Sequence, residues 1–581
     1  MRKIVWLFLL ATLAARCAGA ELVAAGDGKT DCTAAFQKAL DDAGKAGGGV
    51  VGVPAGRYRI DGNLTIPGGV TLQGTYRAAP LVSTQDPNAM VGTVLMAYAG
   101  RGSAEGKPFI ELAGPSATVS GLIITYPEFK TTDVPPIPYP PCIQGRPWTD
   151  NVAIIDCCIL NAYEAIKLHA AHRHLVRNVQ GYPTWRGIFV DECYDIGRIE
   201  NVHFWPFGIA YSPDTPLCKW INENGVAFEF ARTDWQYVTN TFCFGYGVGY
   251  KFSEYKAGGC NGNFLGIGAD CCRRAVLVQQ AQRPGILITN GEFVGKWGST
   301  DSVTLEIGEK TEGKVSLTNC SFWGPIDRCV SMNSPKSQFT ASACNFVDWD
   351  GSGIGSPAIE LNAGRAILQG NTFGDGQLHV RIGSKVVSAV VMGNQASDGL
   401  VVENHIGKRA SIVANETEQV EFGKEARSYY RIRIGANGDG RRVRSFNGRE
   451  EAAEWPDKGT KRWSAPSSQL LLPVNPGQPY EVTVSVFVPK WALKPGAGVY
   501  LGSKRIIAFE KEGVAVLKGA LPAVKSDTAT LDIRCANWKP KDVIPNSQDT
   551  RSLGIALRWV TIRAQTAGKR MFDGNTGEWV R

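Results

Sequence analysis

The stretch "GGGVVGVPAGRYRI", Gly47 to Ile60, places a few apolar residues between three glycines and the turn Pro54-Ala55-Gly56. Upstream stands "GDGKTDCTAAFQKALDDAGKAG", in which Ala35, Phe36, Ala39, Leu40 and Ala43 recur at helical spacing. Thr30 or Asp31 can cap that helix, and Gly44 with Gly47, Gly48 and Gly49 ends it. Downstream, "NLTIPGG" and "VTLQG" are two more short strands, parted by Pro67-Gly68-Gly69. Strands this short cannot bury a face alone. They can if the chain coils and each turn stacks on the one before.

Coiling predicts a repeat, and asparagines supply one. Asn178, Asn201, Asn240, Asn290, Asn319, Asn345, Asn371, Asn394 and Asn415 each stand beside aromatic or apolar residues, most of them 21 to 29 residues apart. The longer step from Asn201 to Asn240 is read as two rungs. Inward corner amides that bond the next rung are their expected role. In phase with them run short strands such as "AIKL", "GIFV", "GIAY", "AFEF", "GYKF" and "AVLV". The predicted solenoid extends from about Val50 to about Phe422. From Glu425 the strands lengthen and alternate, as in "SYYRIRI", "YEVTVSVFVP" and "RSLGIALRWVTIRA", which predicts a β-sandwich. A chain of 581 residues is too long for one compact core, and its 67 glycines favour turn-rich β structure.

The segment "GDGKTDCTAAFQKAL…GGGVVGVPAGRYRI…LTIPGGVTLQG" resembles the opening of the pectate lyase superfamily, in its rhamnogalacturonase- and epimerase-like branch. The resemblance implies an all-β chain with a right-handed parallel β-helix of about 11–12 rungs. It also implies that the first helix caps the open end of the sheets. The expected organisation is a signal peptide over 1–20, the β-helix over 21–424 and the sandwich over 425–581. A carbohydrate-associated role for the sandwich is expected by analogy alone.

Arg2 and Lys3 precede "IVWLFLLATLAA" and the small residues "AGA" that end at Ala20, the pattern of a cleavable secretory signal. The expectation is a secreted or periplasmic protein without a membrane span. The formal charge of +8 falls to +5 without Arg2, Lys3 and Arg16, and no basic tract stands out. Nucleic acid is therefore not an expected partner, whereas an acidic substrate is compatible. The cysteines after Ala20 contain no CxxC spacing and are read as small buried thiols at repeat positions. No cofactor is expected. Calcium would be compatible, yet no set of oxygen ligands can be named.

Side chains fill a β-helix, so a ligand must lie in an external groove between corner loops. Two long insertions, Tyr126 to Cys142 and Ser212 to Gly225, flank the rungs richest in charge and aromatics. In "EAIKLHAAH", Ile166 and Leu168 point inward, so Lys167 and His169 point out. In "RGIFVDEC", Ile188 and Val190 point inward, so Phe189 and Asp191 point out. The matching offsets make His169 and Asp191 neighbours on adjacent rungs, and Lys167 and Phe189 likewise. The outward column continues through Ala210, Glu229 and Lys251. Glu164 and Arg186 hold the strand entries, while Glu192, His172 and His174 lie in or near the exit turns. One exposed face thus collects the candidate catalytic residues Glu164, Lys167, His169, Arg186, Asp191 and Glu192. Tyr163, Trp185, Phe189, Trp205, Trp220, Glu229 and Lys251 are the candidate substrate contacts. A plain surface ion ladder with packing aromatics is the competing structural reading.

A uronate lyase must neutralise the substrate carboxylate, here with Arg186 or Lys167, and needs a base, here His169 oriented by Asp191. A hydrolase needs two carboxylates, for which Glu164 with Asp191 or Glu192 qualify. The polygalacturonase signatures are absent. The one Asp-Asp pair, Asp41-Asp42, lies in the first helix, and the corresponding rung position reads Tyr163-Glu164. The Trp-Ile-Asp-His signature of calcium-dependent pectate lyases is also missing. The resemblance implies fold and substrate class and transfers no catalytic residue. The expected function is a monomeric, exported enzyme that cleaves glycosidic bonds of a uronate-containing polysaccharide, as lyase or hydrolase. The alternatives are a non-catalytic glycan-binding surface protein and a tailspike- or adhesin-like trimeric rod.

Overall fold

The computed structural model describes residues 22–580 apart from 78–85, 206–214, 296–301, 325, 375–377, 397–398, 417–419, 421, 437 and 548. The expected signal peptide lies outside the described residues. The chain packs as two compact units, one of Met1–Val294 with Leu305–Leu317, the other of Gly295–Thr304 with Thr318–Arg581.

In the first unit, helix α1 (Thr33–Lys45) buries Phe36, Ala39, Leu40 and Ala43. That face meets the strands Gly49–Gly52, Leu64–Ile66 and Val70–Gln73. Cys32, not Thr30 or Asp31, holds the N-cap position. Asp31 closes the entry instead, accepting from the Thr33 amide at 3.0 Å and its hydroxyl at 2.6 Å. The glycines of the opening stretch have a steric reason. Gly48 has φ +113°, and a Cβ there would lie 2.7 Å from the Gly69 carbonyl oxygen.

The unit is a parallel β-helix in which equivalent residues of successive rungs stack. One inward column runs Ile143, Ile166, Ile188, Phe228, Tyr250, Val276 and Leu305. Phe228 and Tyr250 stack at 4.8 Å between centroids, which adds aromatic contact to area burial. The neighbouring outward column runs Gln144, Lys167, Phe189, Glu229, Lys251, Leu277 and Glu306. Alternation along each strand is what divides filled interior from functional exterior.

Two features of the asparagine repeat differ from expectation. Glu200 pairs directly with Thr239 and His203 with Phe242, so Asn201 to Asn240 is one rung and not two. The surplus residues leave the coil as an insertion that contains helix α2 (Pro216–Asn224), started by Pro216 and capped by the Thr215 hydroxyl. The predicted "GIAY" strand and Ala210 fall in 206–214, outside the described residues. Second, eight of the nine asparagines divide into two kinds, while Asn345 lies exposed on the strand Asn345–Phe346. Asn178, Asn201, Asn240, Asn290 and Asn319 adopt φ between 51° and 56°, the left-handed turn that asparagine tolerates. Asn178 and Asn201 do not point inward; Asn201 Nδ2 donates to Asn178 Oδ1 at 2.9 Å along the outside. The inward amide ladder belongs to the second unit, where buried Asn371 and Asn394 donate to Asn394 Oδ1 and Asn415 Oδ1 at 2.8 and 2.9 Å.

In the second unit the last parallel strands pair back onto Val380–Met392. Antiparallel pairing begins with Tyr429–Arg433 against Ala556–Ala564. Eleven strands form one hydrogen-bonded network. Their shared core includes Tyr430, Val484, Leu531 and Val560. Trp455, Trp463 and Trp538 are buried there. All fourteen described cysteines are buried, in keeping with small apolar fillers. Among the described residues, no helix is long and apolar enough to cross a membrane.

Candidate active site

Four strands of the first unit carry the site: β1 (Glu164–His169), β2 (Arg186–Asp191), β3 (Val226–Phe230) and β4 (Val248–Phe252). Their register makes His169 the rung neighbour of Asp191, Lys167 of Phe189, and Glu164 of Arg186. His169 Nδ1 lies 3.4 Å from Asp191 Oδ2, with the imidazole 35% exposed and the carboxylate 9%. Asp191 Oδ1 accepts from the backbone amides of Glu192 at 2.9 Å and Arg232 at 3.1 Å. Those two donors hold the carboxylate and leave its second oxygen facing the imidazole.

Beneath lies an ion chain. Arg186 Nε donates to Glu164 Oε1 at 2.9 Å, and Arg186 Nη1 donates to Glu229 Oε2 at 2.9 Å. Glu229 Oε1 also accepts from Lys251 Nζ at 3.0 Å, Ser253 Oγ at 2.5 Å and the Tyr255 hydroxyl at 3.4 Å. The guanidinium sits 4.5 Å from the Trp185 ring and 4.2 Å from the Phe189 ring, and Trp185 stacks on Tyr163 at 5.0 Å. Burial raises the Glu164 pKa despite Arg186. Burial opposes the charge of Glu229 too, but Lys251, Ser253 and Arg186 together hold its pKa below the ordinary value.

The expected exposed cluster is therefore only partly exposed. Glu164, Arg186, Asp191 and Glu229 are buried, because one guanidinium between two carboxylates, roofed by aromatic rings, excludes water. Arg186 cannot serve as a free carboxylate clamp, since both its faces are taken. Phe189, expected as a substrate contact, is buried against Tyr255 at 5.4 Å. Lys167, His169, Glu192, Tyr163, Trp185 and Lys251 keep partial exposure. Trp205 does not join them; it packs with His203, Phe242 and Phe244, beside the strands Gly197–Phe204 and Phe242–Phe244. Trp220 lies on α2, half-buried.

Sequence reading missed Tyr255, Ser253 and the Arg232 amide. The first two follow β4 in "FSEYK", the exit turn equivalent to Asp191-Glu192, so the rung register could have placed them. Tyr255 is 43% exposed, and burial with the nearby Glu229 charge raises its pKa, which keeps the phenol protonated. His169, Asp191 and Glu192 bring one ligand atom each within 4.8 Å of one another and could hold a cation. One imidazole with two carboxylates suits a transition ion better than calcium, which takes oxygen ligands.

The other two histidines of these rungs, His172 and His174, have structural roles. His172 accepts the Tyr194 amide at 3.0 Å. His174 is fully buried, its Nδ1–H donating to the Ala171 carbonyl at 2.9 Å and its Nε2 facing the Gln236 amide at 3.4 Å. Burial pushes its pKa down from 6.5 to about 4. A depressed histidine stabilises the fold fully above the unfolded value and loses that contribution as pH falls through the folded value. Acidification from pH 7 to about 4 should thus cost about 3 kcal/mol through this group. Urea unfolding across that interval is expected to show a flatter pH dependence in His174→Gln than in the parent; equal slopes would refute it.

Residues 20–110 match the family described as rhamnogalacturonase A/epimerase, pectate lyase-like. The match ends before every candidate site residue. The chain is 37% identical over 109 residues to the mannuronan C5-epimerase AlgE5 of Azotobacter vinelandii, covering 17% of this chain and 11% of that protein. It is 62% identical over 39 residues to alginate lyase 7 of the same organism, covering 7% and 5%. The chain thus spans about a tenth or less of the length of these two relatives. Among solved structures, the A-module of the Azotobacter vinelandii mannuronan C-5 epimerase AlgE6 is similar at 15% identity and a TM-score of 0.39, over 69% of this chain and 98% of the module.

Proposed function

We propose that this chain is an exported enzyme acting on a uronate-containing polysaccharide by removing the proton beside the carboxylate. The observation that carries the reading is the outward His169 with its Nδ1 edge held toward the buried Asp191. Asp191 takes the Nδ1 side of the ring, which leaves Nε2 as the lone pair that faces a ligand. Half-exposed Lys167, one residue pair along the same strand, is the cation available for the substrate carboxylate. The C5–H electron pair then moves into the carboxylate system. β-Elimination expels the C4 oxygen, and the protonated Tyr255 phenol is the group that supplies its proton. Reprotonation of C5 by solvent from the opposite face instead gives an epimer, the activity that the name of AlgE5 carries. Hydrolysis by Glu164 with Asp191 or Glu192 fits the geometry less well, because Glu164 is buried and engaged by Arg186, and Asp191 is held by two amides and faces His169.

Incubating the protein with mannuronan, alginate, polygalacturonate and a neutral glycan in deuterated buffer tests this. Loss of the C5 hydrogen is the expected result, because elimination leaves C5 in a C4–C5 double bond and reprotonation from the buffer leaves it deuterated. New ultraviolet absorbance with new reducing ends marks elimination, and deuterium without either marks epimerisation. Reducing ends alone, without absorbance or deuterium, would overturn the reading in favour of hydrolysis.

A further inference from the structure

The second unit holds a groove that the chemistry above does not use. Strands β5 (Val402–Asn404) and β6 (Ala410–Val413) are the last of the parallel ladder, and β7 (Val443–Glu451) is an early strand of the antiparallel network. A cavity of about 410 Å³ lies among them, floored by Val402, Ile412, Val413 and Leu471. A second cavity of about 260 Å³ adjoins it, with Ile354, Arg381 and Glu403 in its wall. The two share Val401, Val402 and Arg444, so they form one groove of ligand size.

The charges in the groove are unequal in their partners. Glu403 is met twice, by Arg381 Nε at 3.2 Å and His405 Nε2 at 2.6 Å. Arg381 is likewise held by Glu360 and the Gly355 carbonyl, both at 3.2 Å. Arg441 donates from Nη2 to the Leu400 carbonyl at 2.9 Å, but its buried Nε–H has no acceptor. The exposed Arg444 guanidinium has neither an ion pair nor a hydrogen bond among the described residues. The groove therefore offers a free cation in Arg444, a second guanidinium in Arg441 and an aliphatic floor, with the carboxylate of Glu403 already neutralised. A planar fork of donors matches a carboxylate two-pronged, and an aliphatic floor matches the C–H face of a pyranose.

We infer that this groove is a second, non-catalytic binding site for a carboxylated saccharide, whose carboxylate is taken by Arg444 and Arg441. That the saccharide is a uronate rests on the function proposed above. The groove would hold a stretch of polymer, or a released oligomer, apart from the His169 face.

Calorimetric titration of the full chain with mannuronate oligomers tests the inference, with neutral glucose oligomers as the control and N-acetylneuraminate as a carboxylated sugar that is not a uronate. Parent, Arg444→Ala, Arg444→Lys and His169→Ala proteins are compared after their thermal midpoints are shown to match. At least a tenfold weaker affinity in Arg444→Ala, partial recovery in Arg444→Lys and retained groove binding in His169→Ala are expected. Unchanged affinity in Arg444→Ala overturns the groove, whatever the enzyme assay shows. Arg444-dependent binding of N-acetylneuraminate, with neither C5 exchange nor elimination on any uronate polymer, would keep the groove and remove the proposed reaction.

Discussion

His169→Ala should lower turnover of a uronate polysaccharide by about 10²–10⁴-fold, the usual worth of a positioned general base. The ring is partly exposed on the outer face, so its truncation leaves the filled interior untouched and the thermal midpoint close to that of the parent. Asp191→Asn makes the sharper variant. Asparagine keeps the oxygen that accepts from the Glu192 and Arg232 amides, so the exit turn survives. Its amide then presents N–H toward His169 Nδ1, which turns the lone pair inward and places the proton on Nε2, the wrong edge for abstraction. A loss of similar size with unchanged folding is expected, read as kcat on mannuronan and polygalacturonate. Tyr255→Phe separates the two outcomes of proton removal. Elimination needs a proton for the departing oxygen and should fall, whereas deuterium entry at C5 should persist. If the two His169 and Asp191 variants keep parent activity, the reaction lies elsewhere on the chain. If they lose it and a chelator abolishes parent activity equally, the imidazole acts as a ligand to a cation and not as the base.

The site was legible where the repeat is strict and illegible where side chains compete for the same space. The constant offset between "EAIKLHAAH" and "RGIFVDEC" fixed the His169–Asp191 neighbourhood, because parallel strands in register convert sequence distance into vertical contact. Periodicity says which way a side chain points but not what covers it. Phe189 and Glu229 do point outward, yet rings and ion pairs bury them, and nothing in a two-residue alternation reports that. The rung count failed at Asn201–Asn240 for a related reason. Counting residues assumes they all stay in the coil, while α2 leaves it. The long step from Asn240 to Asn290 hides a rung whose corner is Gly266, at φ +62°, since glycine reaches the left-handed turn as readily as asparagine.

Arg186→Met is expected to destabilise the first unit by about 3–5 kcal/mol, the range for leaving one partner of a buried ion pair alone. Methionine fills much of the space between the Trp185 and Phe189 rings, so the loss reports charge more than volume. The two carboxylates respond differently. Glu229 retains Lys251 and Ser253 and stays ionised. Glu164 keeps no bonded cation, and its pKa, already raised by burial, must climb further. A carboxyl whose folded pKa lies above its unfolded value costs stability as pH rises through that interval, because the folded state holds the proton more tightly. The deficit of Arg186→Met should therefore be smallest near pH 4–5, around the ordinary glutamate pKa, and full at neutral pH. Adding Glu164→Gln should restore part of the neutral-pH loss and flatten the dependence, since the amide has no charge to strand. Chemical unfolding of the parent, the single and the double variant at the two pH values measures all three effects. A pH-independent loss below about 1 kcal/mol would mean that the guanidinium contributes no more than an exposed pair does.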